Sequence, residues 1–284
     1  MEIQKIIKQL IHNHIINSEP MEYKQLNGGT VSELYLLNMG DCKYVVKSNA
    51  PQIIKSEASF LYHYRNSPLL PKLLFVENSY KYIVYSFIVG STNYDRENKK
   101  EMLKQLVQGL QNHYKSVPKD VGWGWADQPQ DSWQSFLLDE IMAAKDIIHS
   151  RFDYHHHDFL LTIAQNMNNE SKPYLLHGDC GVHNFIFNNG QLNGVIDPTP
   201  VIGDPLFDLI YAFCSSPDDL TKETIDSAAS HLTNKHEISH SFLYKNVLIG
   251  LYLRLGACIK HHPHDFEEYY KAWNYWCNQL QKMH

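Results

Sequence analysis

Residues 175–208 read LLHGDCGVHNFIFNNGQLNGVIDPTPVIGDPLFD, and the rest of the chain is organised around this stretch. It contains two short apolar runs of strand character, Phe185 to Phe187 and Val195 to Ile196. Between them lies an Asn-Asn-Gly sequence at 188–190, which favours a tight turn between antiparallel strands. The stretch therefore predicts a β-hairpin.

Three polar residues flank this predicted hairpin. Asp179 and Asn184 come just before its first strand, and Asp197 ends the second. Because a hairpin brings its two ends together, we expect Asn184 and Asp197 to lie close together, with Asp179 facing them. Two carboxylates and an amide oxygen suit Mg²⁺, with one carboxylate left over as a base.

This pattern resembles the catalytic core of the aminoglycoside phosphotransferase and choline kinase-like family of small-molecule kinases. The signature is His-x-Asp-x-x-x-x-Asn, here His177 to Asn184, followed by Ile196-Asp197. Protein kinases carry a related loop. Here only a few residues separate Asp197 from Gly203-Asp204-Pro205, too few for a regulatory activation loop. The resemblance therefore implies a kinase that acts on a small molecule.

The fold that the resemblance implies is α+β, a two-lobed protein kinase-like fold. It would comprise an N-terminal nucleotide-binding lobe (1–90) with an antiparallel sheet and helices, and a mostly helical C-terminal lobe (91–284) that holds the catalytic and acceptor sites. The apolar periodicity of the sequence agrees with this order. It predicts strands at Val31–Leu37, Cys42–Lys47, Leu73–Val76 and Tyr82–Ile88, helices over 2–16, 52–64, 219–232, 239–261 and 264–282, and further helical stripes from about Lys99 and from Trp133.

The resemblance also implies roles for individual residues. Asp179 would be the catalytic residue that orients the acceptor hydroxyl and takes its proton, while Asn184 and Asp197 would hold Mg²⁺ on the phosphates of ATP. Lys47, at the end of a predicted strand, would reach the α- and β-phosphates. Glu57, the only acidic residue of the next helix, would hold that lysine.

Two further segments would contact the nucleotide. Small residues in a turn let backbone N–H groups approach phosphate oxygens, and Gly28, Gly29, Thr30 and Ser32 form such a segment. Main-chain groups of Ser86 and Ile88 would bind the adenine edge at the hinge between the lobes. The residues alone fit an ordinary hairpin turn and a plain core strand equally well.

Two other residue sets follow the family pattern. His177 would support the catalytic loop through hydrogen bonds rather than take part in the chemistry. Asp204 and Asp208, in Gly-Asp-Pro-x-x-Asp-Leu, would brace the same loop. We treat all three as structural residues.

Composition limits the class of protein. The chain has 284 residues, 43% of them hydrophobic, which is enough for a sizeable core. Five scattered cysteines without a Cys-x-x-Cys predict neither a disulfide framework nor a zinc site. The N-terminal segment is charged, and no apolar run approaches the roughly 20 residues that cross a membrane, so we expect a cytoplasmic protein without a membrane partner.

Charge is distributed unevenly along the chain. Residues 1–119 carry 15 Lys and Arg against 10 Asp and Glu, whereas residues 120–170 carry 2 against 9. A basic first part suits ATP and an acidic middle suits a cationic acceptor, although chance fluctuation gives similar patterns. No basic stripe with interleaved aromatic residues is present, so we expect no nucleic-acid partner.

The predicted function is transfer of the γ-phosphoryl group of ATP, or of GTP, with Mg²⁺, to a hydroxyl of a small molecule. An aminoglycoside-type or other amine-bearing alcohol is the leading acceptor, which would imply a role in antibiotic resistance. Residues 121–130 hold two tryptophans near Asp127 and Asp131 and are interpreted either as part of the acceptor site or as a pinned surface loop.

Two other functions remain open at this stage. One is a kinase-fold protein that binds nucleotide without turnover. The other is a metal-dependent hydrolase that uses the histidine clusters at 155–157 and 261–264, although neither has the i, i+4 spacing of a helical zinc site. The sequence does not identify the acceptor, the preferred nucleotide or the oligomeric state.

Overall fold

The structure is a computed structural model that describes residues 2–26, 32–148, 151–152, 154–167, 172–233 and 238–282. Its N-terminal part is built on a five-stranded antiparallel sheet in the order β1-β2-β3-β5-β4. The strands are β1 Glu22–Gln25, β2 Glu33–Asn38, β3 Lys43–Ser48, β4 Leu73–Val76 and β5 Tyr82–Ser86. The antiparallel sheet that was predicted for the N-terminal lobe is therefore confirmed.

Two helices contribute to the packing of this sheet. Successive side chains of a strand point to opposite faces. Accordingly, Val46 of β3 packs in the cluster that holds α1 (Ile3–His12), whereas Val45 belongs to the main core with residues of α2 (Pro51–His63). The apolar stripe of α1 is buried at Ile3, Ile6, Ile7 and Leu10. The sheet is thus fixed between the N-terminal helix and the rest of the molecule.

The remainder of the chain is mainly helical, as predicted. Its helices are α3 Lys99–Gly109, α4 Trp133–Ile148, α5 Tyr154–Gln165, α6 Leu206–Cys214, α7 Lys222–Ser230, α8 His240–His261 and α9 Phe266–Gln281. Its strands are β6 Gly124–Trp125, β7 Tyr174–Leu176, β8 Phe185–Asn188, β9 Gln191–Val195 and β10 Val201–Gly203. β6, β10 and β7 form a small antiparallel sheet, and β8 and β9 form the predicted hairpin.

Helix α8 lies at the centre of the helical part and contacts α4, α6 and α9. Among the described residues it is the one helix whose length and mean hydropathy, 1.3, would allow it to cross a membrane. The sequence analysis did not identify such a segment. The three helices around α8 account for its apolar character, because the core helix of a packed domain has the same composition.

Several short elements were not predicted from the sequence. Residues 121–130 were interpreted as loop-like, but Gly124–Trp125 pairs with β10, in the register Val201 opposite Trp125. Helices α5 and α6 were also missed. Short strands of two or three residues carry no periodicity of their own, and they form here because backbone partners from distant parts of the chain meet.

Candidate functional site

The hairpin brings the predicted polar residues together. Asn189 and Gly190 have φ of 50° and 74°, the left-handed conformation that a tight two-residue turn requires. Phe185 pairs with Val195, and the Ile196 amide donates to the Asn184 carbonyl at 2.9 Å. The end of the second strand therefore lies against Asn184, as expected from the sequence.

Asp179 of the catalytic loop is held by two neighbouring side chains. The Asn184 amide donates to its Oδ2 at 2.8 Å and to its carbonyl at 3.0 Å, and His183 Nε2 lies 3.3 Å away. Burial opposes ionisation, but His183 and the Tyr211 hydroxyl favour the charged form and lower the pKa of Asp179 to about 2. Asp179 is thus ionised at neutral pH and accepts hydrogen bonds.

His177 connects Asp179 with the strand that precedes Asp197. Its Nε2 donates to the Ile196 carbonyl at 3.1 Å, and its Nδ1 accepts from the Asp179 amide at 3.3 Å. Burial lowers the pKa of His177 to about 4, so the ring is neutral at neutral pH. A neutral ring with one donor and one acceptor nitrogen fits these two contacts.

Asp208, near the start of α6, is buried beneath the catalytic loop. Its Oδ2 accepts from the Tyr114 hydroxyl at 2.5 Å and the His177 amide at 2.8 Å, and its Oδ1 accepts from the Gly178 amide at 2.9 Å. Burial raises its pKa to about 6 despite these bonds. Gly178 has φ +81°, and a Cβ atom there would lie 1.9 Å from the Thr199 carbonyl oxygen.

Lys47, Glu57 and Asp197 form one charged cluster. Lys47 Nζ lies 2.5 Å from Glu57 Oε2, and it also donates to Asp197 Oδ1. Although burial opposes it, the two carboxylates raise the pKa of Lys47. Burial raises the pKa of Glu57 to about 7. The nearby Asp197 carboxylate raises this pKa further, whereas the Lys47 ammonium group opposes the rise.

The chemistry of Asn184 and Asp197 fits a hard cation. The Asn184 amide nitrogen donates to Asp179, which leaves its oxygen as the free lone-pair donor. The Asp197 carboxylate is 44% exposed and can accept a ligand. Both groups offer oxygen, which Mg²⁺ prefers.

The predicted adenine-binding residues lie at the end of β5. The Ser86 amide donates to the Lys72 carbonyl at 2.9 Å, and the Ser86 hydroxyl accepts from the Lys72 amide at 2.8 Å. Within the described ranges the Ile88 amide bonds to no backbone group, and the Ile88 side chain approaches Gly194 of the hairpin. Of these two amides, that of Ile88 therefore has no backbone partner among the described residues and can bind a ligand.

The predicted phosphate-binding turn can be followed only in part. Gly28, Gly29 and Thr30 lie outside the described residues. Ser32 lies just before β2, and its hydroxyl accepts a hydrogen bond from the Asn49 side chain at 2.8 Å. Its hydroxyl keeps its own proton for a second partner.

A cavity of about 240 Å³, missed from the sequence, lies beside the catalytic loop. Tyr211, whose hydroxyl helps to lower the pKa of Asp179, forms part of its wall. Trp125 and Arg254 line it too, and the Trp125 indole donates to Glu140 at 3.1 Å. A signal was present in the sequence, because an arginine within the apolar α8 is a candidate for a buried role.

Of the sequence features that were considered for the acceptor or for a metal, Trp125 lines this cavity, whereas the two aspartates and the histidine clusters do not. Asp127 and Asp131 are exposed and do not line this cavity; the acidic residue that does is Glu140. In the described ranges no group of three or more His, Cys, Asp or Glu is arranged to hold a metal. His157, for example, faces the Tyr252 hydroxyl at 3.4 Å. The histidine clusters therefore give no support to a metal-dependent hydrolase.

Comparisons with solved structures confirm the kinase-like fold. An aminoglycoside phosphotransferase, APH(4)-Ia, in ternary complex with AMP-PNP and hygromycin B, superposes with a TM-score of 0.62 at 19% identity, covering 97% of each chain. The choline kinase LicA from Streptococcus pneumoniae superposes with a TM-score of 0.63 at 17% identity, covering 99% of this chain and 100% of that one.

Sequence comparisons agree with this fold. A protein named as a probable ketoamine kinase from Vibrio vulnificus is 25% identical over 198 residues, which span 62% of this chain and 67% of the relative. The model of the phosphotransferase enzyme family matches residues 22–234, which include the sheet, the charged cluster and the catalytic loop. The chain therefore belongs to the phosphotransferase enzyme family.

Proposed function

We propose that the protein transfers the γ-phosphoryl group of ATP to a hydroxyl of a small molecule. The observation that carries this proposal is the linked arrangement of two sites. A buried lysine that contacts two carboxylates is linked through Ile196 and His177 to an ionised Asp179. The Tyr211 hydroxyl, which helps to lower the pKa of Asp179, belongs to the wall of a cavity. One site suits phosphates and the other suits a hydroxyl.

In the proposed reaction the phosphoryl group passes directly from ATP to the acceptor, without a covalent bond to the protein. The bond between the γ-phosphorus and its bridging oxygen breaks, and a bond from the acceptor oxygen to the γ-phosphorus forms. The acceptor proton passes to Asp179. Because the pKa of Asp179 is about 2, this carboxylate is a weak base, and its main contribution is to orient the hydroxyl through a hydrogen bond.

The charged cluster would bind the phosphates of the nucleotide. Lys47, directed by Glu57, would donate to the α- and β-phosphates, and Asn184 and Asp197 would hold Mg²⁺, which neutralises phosphate charge when bound. The Ile88 amide would donate to the base. Ser86 would contribute its carbonyl rather than its amide, because that amide already donates to Lys72.

The two predicted lobes would have different roles. Residues 1–90 would form the nucleotide-binding lobe, with Gly28, Gly29, Thr30 and Ser32 as its phosphate-binding turn. Residues 91–284 would form the catalytic and acceptor lobe. We propose ATP as the donor, with GTP as the alternative, and a cytoplasmic location in keeping with the reduced state of the cysteines.

The acceptor we propose is an amine-bearing alcohol. This is supported by the acidic residue in the cavity and by the names of the relatives, which are a ketoamine kinase, an aminoglycoside phosphotransferase and a choline kinase. A role in antibiotic resistance would follow only if the acceptor is an aminoglycoside.

A mass-spectrometric screen tests the proposal. The protein is incubated with MgATP or MgGTP and a panel of aminoglycosides, ketosamines, choline and homoserine, and one product is expected to gain the mass of one phosphoryl group. Asp179→Asn is the control for contaminating kinases, since it should bind MgATP with unchanged affinity while turnover falls roughly 10²- to 10⁴-fold.

Two results would contradict the proposal. Equal turnover by the wild type and by Asp179→Asn would remove Asp179 from its role. Tight nucleotide binding without any phosphorylated product would favour the alternative, a kinase-fold protein that binds nucleotide without turnover.

A further inference from the structure

The cavity beside Asp179 is formed where α4 and α8 pack together. The two helices approach closely at Gly256, where a Cβ atom would lie 3.2 Å from the Ala144 Cβ. Near this contact, Glu140 of α4 and Arg254 of α8 both face the cavity. An acidic and a basic side chain therefore line the same small cavity.

Glu140 has no cationic partner in the described part of the chain. The hydrogen bond to its carboxylate comes from the neutral Trp125 indole, at 3.1 Å. Burial raises the pKa of this carboxyl group, which shows that its charge is incompletely compensated. A partly buried carboxylate without an ammonium or guanidinium neighbour is a site where a ligand cation would be stabilised.

Arg254 is similarly without an anionic partner. Its Nε donates to the Tyr269 hydroxyl at 3.0 Å, and its guanidinium lies 5.4 Å from the centre of that ring. No carboxylate of the described ranges lies within 4.0 Å of it. A guanidinium group keeps further N–H donors in a planar fork that matches a carboxylate.

The rest of the cavity wall carries no charge. It consists of aromatic and aliphatic side chains together with Ser215 and Asn246. The cavity therefore offers one negative and one positive group in apolar surroundings. A polycation would bring like charge against Arg254, whereas a ligand with one charge of each sign would pair both groups at once.

We propose that the acceptor is a zwitterionic alcohol, with an ammonium group held by Glu140 and a carboxylate held by Arg254. This rests on the proposed kinase function and narrows it from amine-bearing alcohols to hydroxyl compounds that are derived from an amino acid. Tyr211 joins the cavity to Asp179, so a hydroxyl of a ligand bound between the two charges would lie on the side of the catalytic carboxylate.

The test compares three matched compounds on each of two skeletons, homoserine and fructosyl-glycine. The zwitterion is compared with its carboxamide, which lacks the negative charge, and with its N-acetyl derivative, which lacks the positive charge. Kanamycin serves as the polycation. Product formation with MgATP gives kcat/KM, and the shift in Tm with AMP-PNP present measures binding independently of turnover.

The zwitterion should exceed each derivative by roughly 10- to 100-fold in kcat/KM, as expected for a hydrogen-bonded charge. The Glu140→Gln variant should no longer prefer the zwitterion to the N-acetyl derivative, but should still prefer it to the carboxamide. The Arg254→Gln variant should no longer prefer the zwitterion to the carboxamide, but should still prefer it to the N-acetyl derivative. The exposed controls Glu267→Gln and Lys260→Gln should keep both preferences.

The outcomes separate this inference from the proposed function. The proposal of a zwitterionic acceptor is overturned if the protein prefers kanamycin, or if kcat/KM and the Tm shift are equal for all three compounds. In either case, a phosphorylated product would still support a kinase. A Tm shift selective for the zwitterion without phosphorylation supports the inference on the acceptor and contradicts catalysis. Variants that lower binding of all compounds equally would show a merely structural role for Glu140 and Arg254.

Discussion

His177 should make the protein sensitive to acid in a way that a single substitution can reveal. The ring is buried, packs edge-on against Phe60 at 5.6 Å, and uses both nitrogens in hydrogen bonds. Its pKa in the folded protein is about 4, compared with an ordinary value of 6.5. The unfolded chain therefore takes up a proton at a pH where the folded protein does not, and stability falls as the pH falls.

The size of the effect follows from this difference. The fall in the pKa of His177 from 6.5 to about 4 corresponds to about 3 kcal/mol of unfolding free energy, nearly all of which is lost by about pH 4. Between about pH 7 and about pH 5 the expected loss from His177 alone is about 2 kcal/mol. Glu57 and Asp208 have raised pKa values and act in the opposite direction, gaining stability as the pH falls.

The comparison of wild type with His177→Gln isolates this one group, because the other titrations are common to both proteins. Glutamine can still donate to the Ile196 carbonyl. Urea unfolding is followed by tryptophan fluorescence, and all five tryptophans, Trp123, Trp125, Trp133, Trp273 and Trp276, lie in the helical part that contains His177. The exposed His113→Gln is the matched control.

At about pH 7 the variant should be less stable than the wild type by roughly 1–3 kcal/mol, the cost of disturbing a buried hydrogen bond. Towards about pH 5 that deficit should shrink by about 2 kcal/mol, since only the wild type loses the His177 contribution. The control should follow the wild type. Parallel curves for wild type and His177→Gln across this range would refute a neutral, buried His177.

Three further predictions concern the nucleotide side and the loop. Asp197→Ala should weaken the Mg²⁺ dependence of ATP binding, and superimposable metal titrations of mutant and wild type would show that the metal site was misassigned. Glu57→Gln should raise the KM for ATP roughly tenfold with only a modest fall in Tm, because Lys47 keeps Asp197 as a carboxylate partner; a large fall in Tm with unchanged KM would show that Glu57 stabilises the fold rather than directs Lys47. Gly178→Ala should lower Tm and turnover together, since a Cβ atom would lie 1.9 Å from the Thr199 oxygen, and wild-type values of both would show that the loop tolerates a side chain there.

Much of the site was accessible from the sequence because local signals specified it. The Asn-Gly turn fixes the hairpin, and the hairpin alone brings Asn184 to the segment that ends in Asp197. The pairing of Lys47 with Glu57 came from the family pattern, and the structure has the two side chains 2.5 Å apart. In both cases short-range geometry or a defined motif carried the prediction.

The cavity beside Asp179 could not be predicted in the same way. Glu140, Tyr211 and Arg254 lie on three helices that are separated in sequence, and they meet only because α4, α6 and α8 pack together. No local sequence pattern indicates that these three residues lie together. The acidic segment 120–170 contains Glu140, which lines the cavity, whereas Asp127 and Asp131 are exposed, in keeping with the interpretation of 121–130 as a pinned surface loop.

The contact between Lys47 and Asp197 has a thermodynamic consequence. The Lys47 ammonium group donates to, and so neutralises, the Asp197 carboxylate, which we propose as a metal ligand. Phosphates would compete with Asp197 for Lys47, and a cation would compete with Lys47 for Asp197. Binding of phosphate therefore frees Asp197 for the metal, and binding of the metal frees Lys47 for phosphate. By linkage, metal and nucleotide should then strengthen each other's affinity by the same factor. A single broken ion pair would thus couple two binding equilibria that share no residue.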